Sequence, residues 1–134
     1  MSGLVLKLGP HERILINGAV IENGDRRSRL NIVTPNASIL RLRDALHPEE
    51  VTTPVRRVCY IAQLALSGDA DPADAVSQMV RGIEQLKAVF ICDEGREGLD
   101  RAEECLNDGN IYQCLRALRT LLPIEDALIE GAPS

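Results

Sequence analysis

Aromatic residues are nearly missing from this 134-residue chain: Tyr60, Phe90 and Tyr112 make up 2% of it, and there is no tryptophan. Any core must therefore be aliphatic, and platforms for stacking nucleic-acid bases are too few for recognition by that route. Histidine is as scarce, with only His11 and His47. Neither stands in a nucleophile elbow or near a candidate Ser or Cys in sequence, so a catalytic triad has no base to work with. No Gly-rich phosphate loop follows a strand pattern. No apolar run approaches the roughly 20 residues that span a bilayer. Leu4 to Leu8 is short and contains Lys7, which is not the layout of a signal peptide. The cytoplasm is the expected compartment, with no membrane partner.

The four cysteines are Cys59, Cys92, Cys105 and Cys114. No two stand at a short zinc-site spacing. With nothing pointing to secretion they read as thiols rather than disulfides. Three fall on apolar faces of predicted helices, where cysteine acts as a small core residue. A metal or redox role is the alternative. The many carboxylates of the second half sit on polar helix faces and read as solvated. The chain is expected to be no enzyme, with no catalytic residue, metal or cofactor.

What is present is a charge asymmetry. The net charge is −5, yet residues 1–57 hold nine Lys/Arg against six Asp/Glu, a surplus of +3, while residues 58–134 hold six against fourteen, a deficit of −8. Two jobs on two surfaces would produce this, and so would a simple need for solubility.

The most informative local signal is Arg13 to Ile16, then Asn17-Gly18, then Ala19 to Glu22. Asn-Gly between apolar runs is a two-residue hairpin turn, because both positions need positive φ. Leu4 to Leu8 reads as a preceding strand. Arg29 to Thr34 alternates Leu30 and Ile32 against Arg29 and Asn31, as a half-buried antiparallel strand does. Pro35-Asn36 turns the chain, and Ile39 to Leu42 makes a fifth short strand. The N-terminal 45 residues are expected to form an antiparallel meander of about five strands. Asp44 to Val51 is a polar connection with room for a helical turn.

Helices are expected from there on. Thr53-Pro54 and Asp71-Pro72 both place a capping side chain before a proline suited to the first turn. The first helix runs to about Leu66 with Val55, Val58, Cys59 and Ala62 on its stripe. The second carries Val76, Met79, Val80, Ile83, Leu86 and Phe90, and Asp93-Glu94-Gly95 interrupts it. A short third helix, about Glu97 to Asn107, buries Leu99, Ala102 and Leu106 and closes at Gly109. A fourth runs from Asn110 to Leu122 with Leu115 and Leu118 inside, and Pro123 stops it. The last two form a hairpin of the kind seen in tetratricopeptide arrays; packing against the second helix and the sheet explains the same leucines. The fold class is α+β: a β-module over 1–45, a four-helix module over 53–128 that packs a core and docks a protein partner, and a loose tail over 129–134.

Arginines are the candidate functional groups. Residues two apart in a strand share a face, so Arg27 joins Arg29, and Arg41 joins Arg43. Guanidinium forks match phosphate and can read guanine edges. Lys7, Arg13, Arg26, Arg27, Arg29, Arg41 and Arg43 form the candidate RNA-binding set, with His11 near the same turns. The alternative is a solvated face whose charges block aggregation.

The order Leu-Lys-Leu, then Glu12-Arg13 to Val20 with its Ile-Asn-Gly-Ala-Val core, then Thr53-Pro54-Val55-Arg56 to Gln63, then Leu115-Arg116-Ala117-Leu118-Arg119 with Leu122-Pro123-Ile124-Glu125, resembles the FlbT family of flagellin regulators over about residues 4 to 128. The resemblance implies a bacterial post-transcriptional regulator of flagellum biogenesis that binds the 5′ untranslated leader of flagellin mRNA and lowers its translation and stability; some members promote flagellin production instead. It also implies functional links to FlaF and to flagellin. No catalytic motif comes with the family. Relatives more often carry Pro-Gly where this chain has Pro10-His11. The β-half is further similar to the carbon-storage regulator through a short Glu-led strand pair. The rival expectation is a flagellin- or FlaF-binding chaperone or adaptor, and a third is a thiol sensor using Cys105 and Cys114. Association of copies of the chain is left open.

Overall fold

The computed structural model describes residues 4–17, 19–34, 37, 39–41 and 45–131. Gly18 of the expected hairpin, the Pro35-Asn36 turn, Leu42, Arg43, Asp44 and the last three residues of the tail lie outside them. The chain divides into two compact units, 1–45 and 46–134. Strands precede helices, and the class is α+β.

Among the described residues the first unit has five strands: β1 (Leu4–Leu8), β2 (Arg13–Ile16), β3 (Ala19–Glu22), β4 (Ser28–Ile32) and β5 (Ile39–Arg41). All pairings are antiparallel. The β2–β3 hairpin is as expected, and Asn17 at its tip has φ +49°. The order is not that of a simple meander. β1 pairs with β4, and β2 is sandwiched between β3 and β5, so the strands form two small sheets. Asn23 explains how the chain leaves the hairpin. Its Nδ2 donates to Gly9 O at 2.7 Å and Arg26 O at 2.9 Å, while its Oδ1 accepts from Ser28 Oγ at 2.6 Å. This side chain turns residues 23–27 back beside the β1–β2 turn, which starts β4 against β1 and not against β3. Leu6, Leu8 and Ile14 are buried, with Ile16, Ile21, Leu30, Ile32 and Ile39 packed around them.

The described residues of the second unit begin with a 3₁₀ turn at Pro48–Glu50 and continue with five helices: α1 (Pro54–Leu66), α2 (Pro72–Val89), α3 (Asp93–Asn107), α4 (Ile111–Arg119) and α5 (Leu122–Ile129). The expected caps are in place: Thr53 accepts from Arg56 N and Asp71 from Asp74 N. α1 packs on α2 and α4, and α3 on α4 and α2. The core is aliphatic apart from Phe90, with Met79, Ile83, Leu99, Leu115, Leu118 and Leu121 fully enclosed.

Two boundaries correct the expectation. α3 starts at Asp93, so Gly95 lies within it and does not interrupt the chain. Glycine is used there for clearance: a Cβ on Gly95 would stand 2.8 Å from Phe90 Cδ2. Pro123 opens a fifth helix where it was expected to stop the fourth. Thr120 ends α4 by turning its hydroxyl onto Ala117 O at 2.6 Å, and Pro123 then occupies the first turn of α5, where its missing N–H costs nothing.

α5 is tied to α1 by charge. Glu125 is buried, and its Oε2 accepts the Val55 N–H at 2.9 Å, capping the start of α1 alongside Thr53. Next to it Asp126 takes both Arg56 nitrogens, at 2.8 and 3.2 Å. The guanidinium hydrogen bond holds the Asp126 carboxyl below its usual range, and the Arg56 pKa is raised in return.

Candidate nucleic-acid interface

Strand parity builds the site. Along β1, Leu6 and Leu8 are buried and Lys7 between them is exposed. In the β1–β4 ladder Leu6 faces Leu30, so Lys7 must face Arg29, and both project from the uncovered side. Directly opposed side chains have Cβ atoms roughly 5 Å apart, and like charges there repel. Arg27 precedes the strand by one residue and shares the parity of Arg29.

These three cations line one cleft of about 580 Å³, with Leu8, Gly9 and Pro10 from the β1–β2 turn and Ser28 from β4. Asn23 fixes one wall of it through the contacts that set the strand order. Among the described residues, the side chains of Lys7, Arg26, Arg27 and Arg29 have no carboxylate partner. Arg26 is exposed beside the cleft without lining it.

The other candidates stand elsewhere. Arg13 Nε reaches Glu22 at 2.8 Å across the hairpin, both side chains being well exposed. Arg41 is half-buried. Its Nη1 donates to Glu12 Oε2 at 2.8 Å and its Nη2 to Lys7 O at 3.1 Å. Glu12 also takes the Gly9 N–H at 3.0 Å. The Glu12–Arg41 pair thus shapes the turn beneath the cations, with the Glu12 carboxylate also lining the cleft. Arg43 lies outside the described residues. His11 adopts φ +59° in the same turn.

Asn23 and Glu12 are the residues that sequence reading missed. In the sequence Asn23 merely follows the hairpin, in an Asn-Gly-Asp turn pattern, and Glu12 merely precedes a strand. Their partners lie up to 15 and 29 residues away, so no local pattern announces them.

The thiols have a different character. Cys59 and Cys114 are buried, and burial pushes each pKa up to about 12. Cys92 is exposed and Cys105 is half-buried. A thiol sensor built on Cys105 and Cys114 would need both to face solvent, and Cys114 is enclosed and held as the thiol. Among the described residues no three His, Cys, Asp or Glu side chains group as a metal site, and no helix is long and apolar enough to cross a membrane.

Comparison with known proteins adds the following. The family model described as flagellar protein FlbT matches residues 4–129. A protein of Chelativorans sp. (strain BNC1) named probable flagellum biosynthesis repressor protein FlbT is 33% identical over 94% of this chain and 84% of its own length. Proteins of the same name from Allorhizobium ampelinum and Brucella abortus (strain S19) are 31% and 30% identical, over 97% and 98% of this chain and 86% of their own lengths. No solved structure matches.

Proposed function

The chain belongs to the FlbT family of flagellar proteins, and from that premise we propose that it regulates flagellum biosynthesis after transcription. In this reading it acts in the cytoplasm, contacts the 5′ untranslated leader of flagellin mRNA and lowers the translation and lifetime of that message. The name of its relatives, flagellum biosynthesis repressor, supports the direction of the effect.

One observation carries the molecular part: Lys7, Arg27 and Arg29 converge on one cleft without a carboxylate partner among the described residues. A row of like charges across a strand pair costs stability. An RNA phosphate in the cleft would relieve that repulsion and accept charge-assisted hydrogen bonds from both guanidinium groups. With three aromatic residues in the chain, the contacts are to backbone phosphate and base edges. No bond is made or broken. Occupying the leader blocks ribosome entry or leaves the message open to nucleases.

Gel shift of a flagellin leader by the purified chain, across a series of salt concentrations, tests this. The expected result is a complex that weakens steeply as salt rises. Absence of any complex at low salt would end the direct-binding reading and leave family membership untouched.

A further inference from the structure

The helical unit carries a groove of about 560 Å³ whose chemistry differs from the rest of its surface. Its walls come from α1, α2 and the end of α5. Ile61, Val89, Leu128 and Ile129 give it an apolar lining, and Arg57 and Arg81 stand on the α1 and α2 walls. Val89, Leu128 and Ile129 are more than half exposed, at 64%, 54% and 60%. Neighbouring large aliphatic side chains left open in this way mark an interaction surface. Along α2 the lining runs from Gln78 to Val89, a span of about 16 Å, or three helical turns.

Charge says what kind of partner fits. Residues 46–134 contain eight Lys/Arg and sixteen Asp/Glu, a net charge of −8. The groove reverses that sign. Its one carboxylate among the described residues, Glu125, is buried, with Oε2 taken by the Val55 N–H and Oε1 3.7 Å from Arg56 Nη1. Arg57 and Arg81 are exposed, and among the described residues neither has a carboxylate partner.

We propose that this groove receives an amphipathic α-helix of a partner protein, one whose apolar stripe is flanked by Asp or Glu. The stripe seats on Ile61, Val89, Leu128 and Ile129, as helix-in-groove recognition requires, and the flanking carboxylates meet Arg57 and Arg81. Nucleic acid does not fit an aliphatic floor. A second copy docking its groove on this one would set the same arginines toward each other. The inference is independent of the cleft in the β-unit.

The test uses the full chain and a synthetic peptide of about 15 residues with leucines at i, i+3, i+4 and i+7 and glutamates at the margins, beside an isomer with lysines at those margins. Titration followed by fluorescence anisotropy should show saturable binding of the glutamate peptide, at least roughly tenfold tighter than the lysine isomer. The double variant R57E/R81E should invert that preference. Leu128→Ser should weaken the glutamate peptide by about tenfold without lowering the melting temperature, since the side chain is already exposed. Equal binding of the two peptides, or none of either, would overturn the proposal. So would light scattering that finds a dimer which Leu128→Ser dissociates.

Discussion

Lys7 and Arg29 are directly opposed in the β1–β4 ladder, two cations at a position where an antiparallel pair gains most from opposite charges. Leu6–Leu30 beside them fixes the register, so neither can move to the other face without exposing the core. The arrangement predicts opposed effects from one substitution. Lys7→Glu creates an attractive cross-strand pair and should stabilise the fold by about 0.2–1 kcal/mol. The same change should abolish leader binding by placing a carboxylate among the phosphate contacts. Urea unfolding and gel shift on one preparation check both signs.

Arg41 is expected to behave differently from the cleft cations. It holds Glu12 and the Lys7 carbonyl in a half-buried contact. Removing it leaves the Glu12 carboxylate short of one partner, which costs about 1–3 kcal/mol. Arg41→Ala should therefore lower the urea midpoint clearly. Any loss of RNA affinity in this variant should follow the loss of folded protein, and the salt slope of what remains should be unchanged.

The Arg56–Asp126 contact gives the helical unit an acid-sensitive component. Hydrogen bonding to Arg56 depresses the Asp126 pKa in the folded state. The unfolded chain therefore binds the proton more readily, and stability rises with pH through that window. The contribution is complete above the ordinary aspartate range and fades as pH falls below about 4 and through the depressed value. Asp126→Asn should flatten the stability–pH curve in that range and lower it by a constant amount above pH 6 or so. Thermal melts at a series of pH values read this directly.

Gly82 permits a close approach between α1 and α2. A Cβ there would stand 2.5 Å from Val58 Cγ2. Alanine gains helix propensity worth roughly 1 kcal/mol, but Val58 is buried and β-branched, so its methyl cannot swing aside. Overpacking of about 1–3 kcal/mol should win. Gly82→Ala is expected to destabilise, and Val58→Ala in the same chain should recover part of the loss, a coupling that a double-mutant cycle measures.

Local chemistry is what the sequence makes legible. The pairing of β2 with β3 and the helix starts at Thr53-Pro54 and Asp71-Pro72 are each decided by adjacent residues, and each stands as read. The pairing of β1 with β4 depends on Asn23 reaching Gly9 across 14 residues, which no periodicity encodes. Gly95 and Pro123 read as breaks because both disfavour helix interiors. In the fold one lies in the first turn of α3 and the other opens α5. For the site, strand parity is enough to put Arg27 and Arg29 on one face. It says nothing of the carboxylates, so the engagement of Arg13 by Glu22 and of Arg41 by Glu12 is visible only in three dimensions.

Whether the cleft holds phosphate is read most directly from the salt dependence of leader binding, compared between the chain and its K7A/R27A/R29A variant by fluorescence anisotropy. Contacts from three or four cations to single-stranded RNA predict a slope of log K against log salt of about −2 to −3. The triple variant should lose about two of those units, with its fold intact because all three side chains are exposed. An identical slope and affinity in the two proteins would contradict the assignment of the RNA contact to this cleft.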